Sequence, residues 1–198
     1  LSLGVYTLTL SGGGNFQSVG LDLNDADSKL LLKSITVDSV STSEDSLGLD
    51  VNETSAITSL LVGNITPVAI ASGRSLSGGI TVTGGSLKLA EQGTLASAIS
   101  MSGGTLAAEK SLTVSGALTQ LGDITIDVAD TKTLTFSTDE IETESFQLTL
   151  AGAGTIAFPA NASGIVVNDA AGLLKLEGTG TLGAAEVTAA SDAGKGLA

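Results

Sequence analysis

Apolar and polar residues alternate along most of this chain, and the alternation itself repeats. From Val51 to Ala108 the sequence matches itself when shifted by nineteen residues without a gap. Leu49 and Val51 recur as Val68 and Ile70, as Leu87 and Leu89, and as Leu106 and Ala108. Six residues beyond the second member of each pair stands another apolar residue: Ile57, Leu76, Leu95 or Val114. A third column runs Leu61, Ile80, Ile99. Short runs such as Ile80-Thr81-Val82 and Leu87-Lys88-Leu89 have period two, which is the pattern of a strand with one buried face. No run at i, i+3, i+4 is long enough for a helix, so helical repeats are set aside. Self-similarity at a fixed short period predicts a solenoid, each unit burying its apolar face against its neighbours. Three strands and three turns in nineteen residues predict one rung of a parallel β-helix.

Extending the paired column outward gives Leu8 and Leu10, then Leu30 and Leu32, at one end, and Ile126 and Val128, Leu148 and Leu150, Leu174 and Leu176 at the other. Nine rungs result, with spacings of 22, 19, 19, 19, 19, 20, 22 and 26 residues. The outer column continues through Phe16, Val37, Leu134, Ile156 and Leu182. The expected fold is all-β, a single β-solenoid domain over residues 1–198, wound right-handed as parallel crossovers are. A β-sandwich would instead need antiparallel hairpins. Loops are expected at Asn24 to Lys29, Val40 to Ser46, Thr138 to Glu144 and Pro159 to Ser163, where most of the acid falls on solvated turns. No capping helix precedes Val5-Tyr6-Thr7-Leu8-Thr9-Leu10, and the tail from Glu186 to Ala198 is small and polar, so both ends read as joints. A first residue of leucine reads as a processed chain or a piece of a longer one.

Composition narrows the picture. Hydrophobic residues make up 42% of the chain but aromatics only 3%, so aliphatic side chains must fill the interior. The 26 glycines and only 2 prolines supply turns rather than rigid linkers. A net charge of -13, with Arg74 the sole arginine, leaves no cationic footprint for a phosphate backbone and excludes nucleic-acid binding. The same charge is repelled by anionic lipid, and no apolar run reaches the ~20 residues of a membrane span. No membrane insertion is therefore expected. The absence of cysteine rules out disulfides and thiolate metal sites.

Four patterns are candidates for chemistry. Asp22, Asn24, Asp25 and Asp27 offer hard oxygen ligands within one turn, the donor type calcium prefers. They depart from the EF-hand loop, which needs glycine where Asp27 stands and glutamate where Lys33 stands. Asp127 and Asp130, three apart after a strand, and Asp139, Glu140, Glu142 and Glu144 in one loop could serve paired-carboxylate hydrolysis of a glycoside. With no histidine and no aromatic platform for a sugar, a carbohydrate-active β-helix enzyme is the alternative rather than the main reading. Outward hydroxyls at Thr94, Ser111, Thr133, Thr155 and Thr179 or Thr181 form a third pattern. Its neighbouring column, Ala96, Thr113, Thr135, Ala157, is too irregular to match an ice lattice. Asn52, Asn64 and Asn161 head N-glycosylation triplets.

Gly84-Gly85-Ser86-Leu87-Lys88-Leu89, Gly103-Gly104-Thr105-Leu106 and Leu148-Thr149-Leu150-Ala151-Gly152-Ala153-Gly154-Thr155-Ile156 resemble the passenger repeats of bacterial autotransporters. The nineteen-residue spacing is similar to that of filamentous-haemagglutinin-type adhesins. The resemblance implies a secreted or cell-surface fibre or adhesin. The expected function is then a non-catalytic, extracellular β-solenoid without a cofactor. It would stack end to end as a homopolymer or join neighbouring solenoid segments of a longer chain, and meet a surface glycan or cell partner. A calcium-dependent adhesive module is the further alternative.

Overall fold

The computed structural model describes residues 1–17, 20–169, 171–183 and 187–189. Among them there is no helix, and the strands stack in parallel as a β-solenoid of about nine turns, as the alternation predicts. Registered pairs always join residues one turn apart. The coil presents three faces.

Face A holds the first part of Thr7–Phe16 and of Lys29–Thr42, then Gly48–Val51, Ile65–Ile70, Ser86–Leu89, Thr105–Ala108, Ile124–Val128, Gln147–Gly152 and Leu173–Leu176. Face B continues through Leu112–Val114, Thr133–Phe136, Thr155–Ala157 and Thr181–Leu182. Face C runs from Leu21–Leu23 through the ends of Lys29–Thr42, Ser55–Val62 and Ser75–Val82 to Ala98–Met101 and Leu118–Gln120. Glu140–Thr143, Gly164–Val167 and Val187–Ala189 carry face C onward as a separate three-stranded sheet. In the lower rungs one strand wraps a corner, and Lys29–Thr42 contributes to all three faces.

The side chains between the faces form one aliphatic core. Leu30, Leu49, Leu87, Leu106, Ile126 and Leu148 are fully buried, and Phe136 stacks on Phe158 with ring centroids 5.5 Å apart. Leu30 lies opposite Leu49, Leu49 opposite Val68, and Leu87 opposite Leu106, as the nineteen-residue period requires. Two other links differ from the sequence reading by two residues. Val68 faces Leu89 rather than Leu87, and Ile126 faces Leu150 rather than Leu148. Face B repeats the effect, with Ser55 rather than Ile57 opposite Leu76 and Phe136 rather than Leu134 opposite Val114. A two-residue slip keeps every side chain on its side of the sheet, so hydrophobic patterning is blind to it.

One member of the third column is corrected by a single residue. Leu60, not Leu61, faces Ile80; Leu60 is buried and Leu61 is exposed. A bulge at Thr58 is the cause, because Ile57 pairs with Gly78 while Ser59 pairs with Gly79. Gly78 has φ 118°, and a Cβ there would sit 1.8 Å from the Ile57 carbonyl oxygen, so the bulge needs glycine at that point. Some inward positions are held by polar residues. Thr66, fully buried opposite Leu87, donates its hydroxyl to Thr42 Oγ1 at 2.9 Å.

Candidate functional site

The acidic turn is built by the strand Leu21–Leu23, whose alternation buries both leucines and sends Asp22 outward on face C. Rung stacking then places hydroxyls beside it. Asp22 Oδ1 accepts from Ser41 Oγ at 3.0 Å, and Oδ2 from Ser43 Oγ at 2.9 Å. Asn24 Oδ1 accepts the Gly4 amide at 2.9 Å, and Asp25 Oδ1 accepts the Asp27 amide at 3.0 Å. The buried Ser28 closes the turn by donating to the Asp25 carbonyl at 2.7 Å. Asp25 and Asp27 share the turn, with Asp22 on the strand before it; both Asp22 carboxylate oxygens and Asn24 Oδ1 hold adjacent chain segments, and Asp25 Oδ1 closes the turn itself. Among the described residues no group of three or more acidic side chains is gathered so that it could hold a metal.

Asp127 stands on the outward side of Ile124–Val128, between Ala107 below and Ala151 above. Asp130 is exposed on the turn that follows, which leads away from face A. The two lie on different elements. Asp127 borders a shallow groove of about 250 Å³ with Ser86, Lys88, Thr105 and Glu109, and no aromatic side chain lines it. Lys88 pairs with Glu109 at 3.8 Å. Exposed ion pairs of this kind tether neighbouring rungs weakly. The groove thus offers charge and hydroxyls, with no enclosed volume in which a sugar ring could be desolvated. Glu140 and Glu142 project from face C, and Glu142 accepts from Asn168 at 2.9 Å.

The hydroxyl columns on face B are sorted differently from the sequence reading. Thr94 lines up with Thr113, Thr135 and Ala157, whereas Ser111, Thr133, Thr155 and Thr181 form the other column. The Thr133 amide donates to Ser111 Oγ at 3.0 Å, and the Thr155 and Thr181 hydroxyls bond each other at 2.9 Å. Of the glycosylation triplets, Asn52 and Asn161 are exposed on turns, with Asn161 at φ 69°. Asn64 is half-buried, donates to the Thr42 carbonyl at 3.4 Å, and has its partner hydroxyl, on Thr66, sealed in the core.

At the N-terminal end, Leu1–Leu3 extends under Leu21–Leu23, with the Leu3 amide donating to the Asp22 carbonyl at 2.9 Å. Val5 and Tyr6 are 59% and 72% exposed. At the other end Leu176 is 62% exposed beside an apolar cavity of about 200 Å³ that Val128, Leu150, Ile156 and Leu182 also line. Of the polar tail noted in the sequence, Val187–Ala189 is a strand on face C, and Glu186 and residues 190–198 lie outside the described residues. Two features escaped the sequence reading, namely the inward polar groups Thr66, Ser55 and Gln120 and the division of face C. No protein-family model, curated protein or solved structure matches this chain, so the fold rests on its own geometry.

Proposed function

We propose that the protein is a non-catalytic structural rod of an extracellular, cell-surface fibre or filament. Its turns continue end to end into further solenoid turns, of a longer chain or of another copy. The observation that carries this reading is where the polar chemistry goes. Outward side chains on faces B and C, among them Asp22, Ser41, Ser111, Thr155 and Asn168, are spent on bonds between successive rungs. A side chain engaged in this way stiffens the stack. Nine turns at the ~4.8 Å strand spacing give a rod on the order of 40 Å. The apolar exposure at Val5, Tyr6 and Leu176 supports continuation beyond both ends. The acidic exterior keeps such a rod dispersed. The glycine-punctuated repeats that resemble autotransporter passengers support display outside the cell, with a glycan or cell partner at its surface. Electron microscopy of the purified chain, together with protease shaving of the intact cells that make it, is the test. Rods or filaments of uniform width on shaving-sensitive cells are expected. Compact particles, or a chain protected inside the cell, would overturn the reading.

A further inference from the structure

We propose that the rod contains a one-sided hinge, located in face C between the strands Leu118–Gln120 and Glu140–Thr143. Faces A and B run through this level without interruption. Ile124–Val128 pairs with Gln147–Gly152, and Leu112–Val114 with Thr133–Phe136. On face C, Leu118–Gln120 pairs below with Ala98–Met101, and Glu140–Thr143 pairs above with Gly164–Val167. No ladder joins the two strands to each other, and face C is split into two sheets there.

The cause is a count of residues at the corner between faces B and C. Four steps lead from Leu95 to Ile99 and from Val114 to Leu118, all buried, but five lead from Phe136 to Ile141. With Phe136 stacked on Val114, the residue four steps on that would face Leu118 is Glu140. Pairing it would turn the carboxylates of Glu140 and Glu142 into the core, because a one-residue shift exchanges the faces of a strand. Burying an unpaired carboxylate is far more costly than losing a few backbone bonds. The chain keeps Ile141 and Thr143 inside and gives up the ladder.

Around this level lie buried polar atoms without partners. Gln120 Oε1, Thr138 Oγ1 and Thr143 Oγ1 are three of the four such atoms among the described residues. Gln120 Nε2 is satisfied, donating to the Gly122 and Gln147 carbonyls at 2.9 Å each. Opening the break breaks no ladder bond, strains one side-chain bond, from Gln120 to Gln147, and lets water reach the orphaned groups, so its cost is lower than at a level where face C is laddered. Glu140, Glu142 and Glu144 line one lip of a cleft of about 150 Å³ and Leu118, Thr119 and Gln120 the other. The hinge axis is the corner where faces A and B meet. Bending swings the three upper strands of face C away from the six below, wherever the rod is displayed.

The chain has no cysteine, so spin labels can be placed in pairs at will. Labels at Ser100→Cys and Val166→Cys straddle the break on the outside of face C. Labels at Ser41→Cys and Ser100→Cys span the same number of rungs below it. The straddling pair is expected to give a distance distribution about twofold wider than the control pair, as hinge motion requires. Equal widths would overturn the hinge. Deleting Thr138 shortens the corner to four steps and should narrow the straddling distribution to the control width. A folded deletion variant that stays wide would overturn the corner-length cause. If the deletion prevents folding, the labels on the unaltered corner still decide.

Discussion

Two corners of the coil meet the same problem, one residue too many, and solve it in opposite ways. At the lower corner Thr58 is surplus, since five steps lead from Ser55 to Leu60 while four lead from Leu76 to Ile80 in the rung above. There the surplus is absorbed by a bulge and the ladder resumes at Ser59. At the upper corner, between Phe136 and Ile141, the ladder is not recovered. The difference lies in the glycines. Gly78 faces the bulge directly, and its positive φ and missing Cβ make room for the Ile57 carbonyl. Gly116, the glycine beneath the upper corner, is already pressed against the rung below, where a Cβ would meet the Ser97 carbonyl oxygen at 1.8 Å. None of Ser137, Thr138, Asp139 or Glu140 has glycine's freedom. The lesson is that a β-solenoid tolerates uneven rung lengths by parity. Even differences slide along the ladder unnoticed, whereas odd ones need a glycine in the right rung or they cut the sheet.

The largest effect should come from removing that glycine. Gly78→Val introduces a side chain at a left-handed φ and against a backbone carbonyl, and is expected to cost about 4 kcal/mol in urea unfolding. A cost below about 1 kcal/mol would mean that the bulge is not what holds the lower corner together. Next comes a matched pair in the core of face C, Leu60→Ala and Ile141→Ala, both fully buried in the native fold. Leu60 is held by ladders on both sides and its cavity cannot collapse, so about 3 kcal/mol is expected; Ile141, tied above but free below, relaxes into its cavity and should cost about 2 kcal/mol. Equal costs would erase the contrast between the corners. The smallest effect belongs to the outer surface. Asp127→Asn, in the shallow groove of face A, is expected to change stability by less than about 0.5 kcal/mol and to abolish no polysaccharide turnover. Loss of a measurable hydrolytic activity in that variant would revive the glycosidase alternative.

Much of this architecture was legible in the residues because a solenoid repeats one simple rule. Leu30, Leu49 and Val68, or Leu87 and Leu106, stack where a period of nineteen puts them, and alternation alone fixes which side chains point inward. The division of face C was not legible, nor were three finer features. The two-residue slips at Val68 and Ile126 leave alternation unchanged and so leave no trace in the pattern. Leu60 and Leu61 are chemically identical candidates, and only the bulge at Thr58 selects between them. Thr66, Ser55 and Gln120 fall at inward positions by alternation, but a template that looks only for apolar residues passes over them. The candidate chemistry was legible in kind and less so in use. Asp22 and Asn24 do supply oxygens in one turn, yet the next rung brings Ser41 and Ser43, and the first residues bring Gly4, to occupy them. Such partners are about twenty positions away in the chain, beyond the reach of any local motif.

Registered partners among the described residues are separated by 19 to 26 residues. For a polypeptide leaving the ribosome or a secretion channel, each new winding therefore finds its complete template in the segment that emerged just before it. Growth by accretion onto a finished edge avoids the slow long-range searches that burden most all-β chains. A protein organised in this way can be lengthened by duplication of a single winding without relearning how to fold.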